Sequence, residues 1–350
     1  MFKKAGDIFR VAATYVGTVI GAGFASGQEL VQFFISYGSI GLAGIAVAGI
    51  MFAWLGSYII ELGFRLKATG YHQILYHTCG SRIGGFLDFI TGLFLFGGLT
   101  IMLAGAGTVG RDYFDLSYNT GLTVMAIVVA LTVMTGMKGI SIVNSLVTPL
   151  LVISTIVIGV NSILYHGISP ALFFIDAPPN PGPAPNWVIS SLLYVSYNII
   201  LGSTVLAPLG NQISNRSVRL WGGLLGGTLL AVLGFFVAII IILHQPDIFQ
   251  YEVPMLYVSN LQCELTHAGY ALMLIKAMYS TAMASLYGCT AKLQSVSGFN
   301  YHISLVIASL FAVICSQFGF ANLIAMLYPL FGYIALIFTF KLVWDFFRGK

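Results

Sequence analysis

The chain of 350 residues is 58% hydrophobic and only 7% charged, and its mean hydropathy is +0.93. A soluble domain carries about 25% charged residues, so this composition excludes a water-soluble fold and indicates a membrane protein. The net charge of +4 does not indicate a nucleic-acid partner, because the Lys and Arg residues are dispersed over short segments rather than gathered in a patch.

Apolar segments long enough to cross a bilayer as helices recur along the whole chain. The region between the fifth and the sixth is rich in proline, which cannot continue a helix at that density. We therefore expect residues 169–186 to form an external linker between two five-helix repeats, residues 1–168 and 187–350. The ten predicted spans are residues 8–35, 39–64, 84–110, 120–136, 140–165, 187–209, 217–243, 267–290, 303–318 and 322–345.

The distribution of Lys and Arg predicts the orientation, because these residues are enriched in cytoplasmic loops. With the N-terminus in the cytoplasm, every basic residue outside the spans is cytoplasmic except Arg111. We expect a multi-pass protein of the bacterial cytoplasmic (inner) membrane with both termini in the cytoplasm. An odd number of spans in each half makes the two halves enter the bilayer from opposite sides, which is an inverted repeat.

The first predicted span contains four glycines, at positions 17, 21, 23 and 27. Glycine destabilises a helix by roughly 1 kcal/mol relative to alanine, so we expect this span to unwind near its middle. Close packing through small residues is the alternative. Unwound backbone at membrane depth offers carbonyls to a cation, and the helix that follows offers its first N–H groups to a carboxylate.

The sixth predicted span has a similar cluster of small residues. In both spans the cluster follows a hydroxyl residue and a tyrosine, Thr14-Tyr15 in the first and Ser196-Tyr197 in the sixth. Pro208 lies just beyond the cluster, so we expect a second break there. Polar groups of a substrate would contact the residues before and within this break. These are Tyr197, Asn198, Gly202, Ser203 and Thr204.

Residues 17–23, GTVIGAG, resemble the first-helix signature of the amino acid–polyamine–organocation superfamily, whose members have the LeuT fold. The motif is especially similar to that of aromatic and hydroxy amino acid permeases, and the whole chain resembles the YkvI-type bacterial membrane proteins. This resemblance implies an all-α membrane protein with ten transmembrane helices in two inverted five-helix repeats, helices 1 and 6 being broken. It also implies a secondary transporter, although so short a motif does not specify the substrate.

Sodium-coupled members of the superfamily hold one ion between the broken first helix and an Ala-x-x-[Ser/Thr]-[Ser/Thr] stretch of helix 8. In this chain the eighth predicted span carries Ala277, Ser280 and Thr281 at that spacing, and the first and last of them lie about 40° apart on one helix face. The resemblance implies a sodium site made of these three residues and the carbonyls of Gly17 and Ile20. The alternative is that the two hydroxyls bond to carbonyls of their own helix.

Charged groups inside a membrane are costly and commonly functional. Gln28 and Glu29 lie in the outer half of the first predicted span, and Lys276 lies at a similar depth in the eighth. We expect Glu29 and Lys276 to form an ion pair that closes an outer gate. The alternatives are that Lys276 or Glu29 carries a coupling proton, or that the lysine extends to the membrane surface.

Together these features predict a sodium-coupled symporter for an amino acid or a similar small zwitterion. The substrate carboxylate would bind the backbone amides of Gly21, Ala22 and Gly23 at the break. The resemblance implies alternating access by rocking of spans 1, 2, 6 and 7 against spans 3, 4, 8 and 9. A proton-coupled transporter and a non-transporting ligand sensor, such as the membrane subunits of spore germinant receptors, are the alternatives. We expect no enzyme active site and no cofactor besides the sodium ion, and the sequence does not specify an oligomeric state.

Overall fold

The computed structural model describes residues 2–134, 140–167 and 181–348, without the side chains of residues 2–3, 140–148 and 166. Within these ranges the chain is almost entirely helical and contains no strand. Short 3₁₀ helices at Ile35–Ile40, Asp247–Gln250 and Ser316–Phe318 connect some of the α-helices. The α-helices are α1 (Phe2–Val19), α2 (Ala22–Ser26), α3 (Gln28–Phe33), α4 (Gly41–Arg65), α5 (Tyr71–Phe114), α6 (Tyr118–Met134), α7 (Ile140–His166), α8 (Trp187–Gln212), α9 (Arg216–Leu243), α10 (Pro254–Asn260), α11 (Glu264–Ser297), α12 (Tyr301–Cys315) and α13 (Phe320–Phe347).

Six helical stretches of the described chain are long and apolar enough to cross a membrane. Two further apolar stretches are shorter, namely α6 (Tyr118–Met134) and Pro149–Tyr165, the part of α7 whose side chains are described. The chain is therefore an all-helical, multi-pass membrane protein, as its composition predicts. Residues 169–180 of the predicted linker lie outside the described residues. The six long stretches are Ile35–Arg65, Tyr71–Phe114, Trp187–Gln212, Arg216–Leu243, Tyr301–Phe318 and Phe320–Phe347.

The first predicted span is interrupted twice. Helix α1 ends at Val19 and α2 begins at Ala22, and Gly21 between them has extended backbone (φ −105°, ψ −173°). The second interruption is at Gly27, whose φ of 84° lies in the left-handed region that glycine tolerates best. This span therefore consists of one long helix and two short ones, α2 and α3, set at angles to it.

The break predicted in the sixth span at Gly202-Ser203-Thr204 is absent, because α8 is one continuous helix. The Ser203 and Thr204 hydroxyls each donate to a backbone carbonyl three residues earlier, at 2.6 Å. Such local bonds satisfy the hydroxyls within the helix. Pro208 lies inside α8 and does not end it, so neither the small residues nor the proline interrupts this helix.

Two groups of helices pack chiefly among themselves. Helices α1, α4, α8 and α9 form the first helix group, and α5, α6, α11 and α12 form the second. Gly227 of α9 lies so close to the backbone of Ala53 in α4 that no side chain would fit there. Helix α13 packs against α8 and α5, and α7 packs against α11 and α9, so these two helices connect the groups.

Ion pairs also join helices within each group. In the first, Nε of Arg219 on α9 lies 2.8 Å from Oε2 of Glu61 on α4. In the second, Nζ of Lys292 on α11 lies 2.5 Å from Oδ2 of Asp88 on α5. Both pairs lie towards the predicted cytoplasmic ends of their helices, so each group is held together on that side by charge as well as by packing.

Each half of the chain has a short helical segment before its longest helix. In the first half this segment begins at Tyr71 and is followed by a kink at Gly80, where φ is 74°. In the second half it is α10, which precedes α11. The predicted orientation places the first segment on the cytoplasmic side and α10 outside.

Candidate substrate and ion site

The interruption between α1 and α2 leaves backbone polar groups without partners. No N–H group of the described chain donates to the carbonyl oxygens of Gly17 and Ile20, although the N–H of Ile20 still reaches the carbonyl of Val16 at 2.8 Å. The N–H groups of Ala22 and Gly23, which begin α2, likewise find no acceptor among the described residues. Buried backbone groups are nearly always paired, so unpaired ones at membrane depth are suited to binding a ligand.

Open space adjoins this interruption on one side. A side chain added at Gly21 would meet no atom within 4 Å, and Gly21 is only half-buried. At Gly23, by contrast, an added Cβ would collide with Oε1 of Glu29. The open space therefore lies on the Gly21 side of the break, and a carboxylate of the protein occupies the Gly23 side.

Glu29 is a buried acid that makes no ion pair among the residues that the structure describes. It lies in the first turn of α3, its side chain folds back towards α2, and the residue is 5% exposed. The hydroxyl of Tyr197 on α8 donates to its Oε2 at 2.9 Å. The contact connects the outer part of the interrupted span to α8.

Aromatic side chains from four helices pack together beside this carboxyl group. The rings of Tyr197 and Tyr328 stack at 4.9 Å with 29° between their planes, and Tyr194 meets Tyr197 edge-on at 5.5 Å. Tyr194 and Tyr328 are both within electrostatic reach of Glu29, and the buried Tyr194 hydroxyl approaches the carboxyl group without the geometry of a full hydrogen bond. We refer to the following five residues as the aromatic cluster: Phe33, Phe94, Tyr194, Tyr197 and Tyr328.

Sequence reasoning identified Tyr197 and missed the other members of the aromatic cluster. Phe94 and Tyr328 lie on α5 and α13, far from the broken span in sequence, and only the packing of the helices brings them together. A helix-face argument could have found Tyr194, which lies one turn before Tyr197 on the same helix.

The predicted ion pair between Glu29 and Lys276 does not form in this structure. Lys276 is exposed on the surface of α11, whereas Glu29 faces α8 and bonds to Tyr197. The sequence predicts that the two residues lie at similar depths, but their side chains face different surroundings. Gln28 is half-buried, and its backbone N–H donates to the Ser26 hydroxyl at 3.2 Å. The position of Lys276 fits a side chain that extends along the membrane surface.

Two of the three residues of the predicted sodium stretch on α11, Ser280 and Thr281, carry side-chain hydroxyls without a hydrogen-bond partner in the described chain. Ala277 is 5% and Ser280 6% exposed, and Thr281 is half-buried. Neither hydroxyl makes a hydrogen bond to any described residue, so the expected alternative of bonding within α11 does not occur here. The same helix adjoins the interrupted span, because the Tyr270 hydroxyl donates to the carbonyl of Ala25 at 2.5 Å.

The other polar side chains of α8 that are predicted to contact the substrate form hydrogen bonds within α8. The Asn198 side-chain amide donates to the carbonyl of Tyr194 at 3.0 Å, and Ser203 and Thr204 bond locally as described above. Tyr197 differs from these residues, because its hydroxyl leaves α8 to reach Glu29. Among the polar side chains predicted on this helix, Tyr197 is therefore the one directed at the break.

The sequence has relatives in Bacillus subtilis, although no protein-family model matches it. It is 32% identical over 339 residues to the uncharacterized membrane protein YkvI, covering 97% of this chain and 96% of the relative. The chain belongs to the YkvI family of membrane proteins. YyaD of the same organism, an uncharacterized protein, is 27% identical over 323 residues, covering 92% of this chain and 91% of YyaD.

Solved structures with a similar fold are those of LeuT-fold transporters. A manganese transporter of Eremococcus coleocola superposes with a TM-score of 0.65 at 12% identity, covering 96% of this chain and 78% of that one. A Na⁺-coupled sialic acid symporter gives 0.63 at 12% identity, covering 96% and 78%. MhsT in complex with L-phenylalanine gives 0.62 at 13% identity, covering 93% and 87%. The chain therefore has the LeuT fold that its first-helix motif predicts, and the proteins that share this fold here are transporters rather than enzymes.

Proposed function

We propose that the protein is a secondary active transporter that carries an amino acid or a similar small zwitterion by alternating access. The observation that carries this proposal is the interruption at Ile20 and Gly21, which combines unpaired backbone groups with open space. The N–H groups at the start of α2 would bind the substrate carboxylate. The sialic acid symporter and the L-phenylalanine complex of MhsT support a small-molecule substrate for this fold.

The proposal includes ten spans in two inverted repeats. The interrupted segment α1–α3 would be the first span, and α4, α5, α6, α7, α8, α9, α11, α12 and α13 the others. The short segment at the start of α5 and the short helix α10 before α11, on opposite predicted sides, support the inverted arrangement. We place both termini in the cytoplasm of a bacterial cell with the protein in its inner membrane, as the distribution of Lys and Arg predicts.

Alternating access would be a movement of the first helix group against the second. The internal packing and the internal ion pair of each group support rigid units, with α7 and α13 as the connections. In the predicted outer half, α2 packs against α7, α10 and α11, whereas the inner helix α1 packs against α8 and α9 of its own group. This arrangement supports a conformation that is closed outside and opens towards the cytoplasm.

Sodium is the coupling ion that we favour. Hard cations prefer oxygen ligands, and the free hydroxyls of Ser280 and Thr281, the Ala277 carbonyl and the unpaired carbonyls of Gly17 and Ile20 would supply them. Proton coupling is the second candidate, because the buried Glu29 carboxylate has no basic partner in the described chain. Lys276, which is exposed, is no longer supported as a proton carrier.

The deciding experiment is uptake of radiolabelled amino acids into proteoliposomes that contain the purified protein. An inward sodium gradient should drive accumulation, and a sodium ionophore should abolish it. Accumulation driven by a pH gradient alone would identify the proton, and not sodium, as the coupling ion. Amino acids that bind the protein but are not accumulated under either gradient would overturn transport and favour the ligand sensor.

A further inference from the structure

A carboxylate of the protein occupies the place beside the break where a substrate would bind. Oε1 of Glu29 lies against Gly23, the second residue of α2, and Gly21 with its open space is two residues earlier. The carboxylate is a negative charge on the Gly23 side of the break, whereas the open space lies on the Gly21 side. The carboxylate would attract a cation, because opposite charges interact strongly where water is excluded.

No basic side chain of the described chain neutralises this carboxylate. Glu29 accepts a hydrogen bond from the Tyr197 hydroxyl and is also approached by the Tyr194 hydroxyl, and both of these groups are uncharged. Burying a charge is expensive unless it is paired, so the site lacks a partner that a cationic group of a ligand can supply.

The aromatic cluster adds to the preference for a cation. Tyrosine and phenylalanine rings present a negative potential at their faces, which attracts ammonium groups, and they exclude water from the carboxylate. A hydrated metal ion gains less from such a surface than an alkylammonium does, because the alkyl part also packs against the rings. The unpaired carboxylate, its burial and the neighbouring aromatic rings thus all favour a ligand with an alkylammonium group.

We propose that Glu29, within the aromatic cluster, binds the ammonium group of the transported substrate, so that the substrate must carry a protonated amine. This inference rests on the proposed transport function and specifies its substrate class. The free N–H groups at the start of α2 would hold a carboxylate and Glu29 the ammonium, which accounts for both ends of an amino acid. A ligand therefore needs the amine in order to bind, whereas its carboxylate only strengthens the binding.

The test measures binding to the purified full-length protein in detergent, separately from transport. The twenty protein amino acids are first screened by the shift in thermal stability. Each one that binds is then compared with two analogues, the acid that lacks its amine and the amine that lacks its carboxylate. We expect the amines to bind, and the acids without an amine to bind at least tenfold more weakly than the amino acid.

Three variants test whether the Glu29 carboxylate causes this preference for amines. Glu29→Gln keeps the size and the acceptor for Tyr197 but removes the charge, and it should weaken binding of amino acids and amines at least tenfold. Glu29→Asp retains the charge and should keep the preference for amines at reduced affinity. Glu264→Gln, the same change at an exposed carboxylate in the first turn of α11, should bind as the parent does.

The assignment is overturned if the acids without an amine bind as well as the amino acid, if Glu29→Gln keeps the parent affinity, or if no ammonium compound binds the parent. A Glu29→Gln variant that binds normally and loses only uptake driven by a pH gradient would make Glu29 a proton carrier instead. Ligands that need Glu29 to bind but do not enter proteoliposomes would overturn transport and leave the ammonium site in place.

Discussion

The hydroxyl of Tyr270 on α11 donates a hydrogen bond of 2.5 Å to the carbonyl oxygen of Ala25 on α2. Both groups are fully buried or nearly so, and the bond joins the second helix group to the outer part of the interrupted span. If alternating access separates these elements on the outer side, this bond must break each time the protein opens outward. Its strength therefore contributes to the balance between the two conformations.

Tyr270→Phe should shift the protein towards the outward-open state. A hydrogen bond of this kind contributes about 0.5–1.5 kcal/mol, which corresponds to a change of about two- to tenfold in the conformational equilibrium. The populations can be measured by electron paramagnetic resonance distances between spin labels at Ile40 and Leu265, two exposed positions at the outer ends of the two groups, after replacement of the native cysteines.

Tyr279→Phe is the matched control for this prediction. Its hydroxyl lies 2.8 Å from that of Thr132, and this contact joins α11 to α6 within the second helix group. The loss of this contact should leave the distance distribution unchanged, because both residues move together. Identical distributions in Tyr270→Phe and the parent would show that the Ala25 contact has no part in gating.

Ser280→Ala and Thr281→Ala should each weaken activation of uptake by sodium. Loss of one oxygen ligand should cost on the order of 1–3 kcal/mol, or about 5- to 150-fold in the sodium concentration for half-maximal uptake. Ser297→Ala on the same helix is the control, because its hydroxyl is already bonded to the carbonyl of Leu293 at 2.7 Å. Uptake by the parent that is indifferent to sodium would rule out the site.

Two glycine-containing segments that look alike in sequence behave differently in the structure. The first span has four glycines close together, and its helix is interrupted where they predict it, at Gly21. In α8 a single glycine precedes Ser203 and Thr204, whose hydroxyls bond within the helix. The cumulative cost of several glycines can be read from sequence. Whether the hydroxyl of a serine or threonine bonds to a carbonyl of its own helix or to a group outside it depends on the neighbouring helices, which the sequence does not reveal.

Counting along a helix predicts how far a residue lies from the end of that helix, but not the direction in which its side chain points. Counting along the helices placed Glu29 and Lys276 at a similar level, and neither contacts the other in the structure. The rotation of each helix is determined by packing against several others, and this information is spread over the whole chain. For the same reason the aromatic cluster, which joins α3, α5, α8 and α13, could not be predicted from any local pattern.

Gly21→Leu should abolish substrate binding without unfolding the protein. The backbone at Gly21 is extended, a conformation that leucine adopts readily, and the space beside it is free. The side chain would therefore fill the volume that we assign to the substrate. Binding should fall more than tenfold by isothermal calorimetry at an unchanged thermal midpoint. Gly6→Leu, at an equally open position near the start of α1, should bind normally, and an unchanged affinity in Gly21→Leu would place the substrate elsewhere.

The ion pair between Arg219 and Glu61 supports a prediction about stability. The Arg219 side chain is 3% exposed, its Nη1 donates to the carbonyls of Ile213 and Ser214 at 2.6 and 2.9 Å, and its guanidinium lies 3.7 Å from the centre of the Phe64 ring. The arginine thus fixes the connection between α8 and α9 to the end of α4.

Glu61→Gln leaves this buried cation without its counter-charge, and such changes typically cost about 3–5 kcal/mol. Arg65→Gln removes the other partner of Glu61, which lies 3.4 Å away and is 46% exposed, and surface pairs contribute only about 0–1 kcal/mol. Unfolding in mixed micelles should therefore show a large loss of stability for Glu61→Gln and a small one for Arg65→Gln. Equal losses would mean that the buried pair is worth no more than the exposed one. In that case the first helix group would owe its rigidity on the predicted cytoplasmic side to apolar packing, such as the contact of Gly227 with α4, and not to charge.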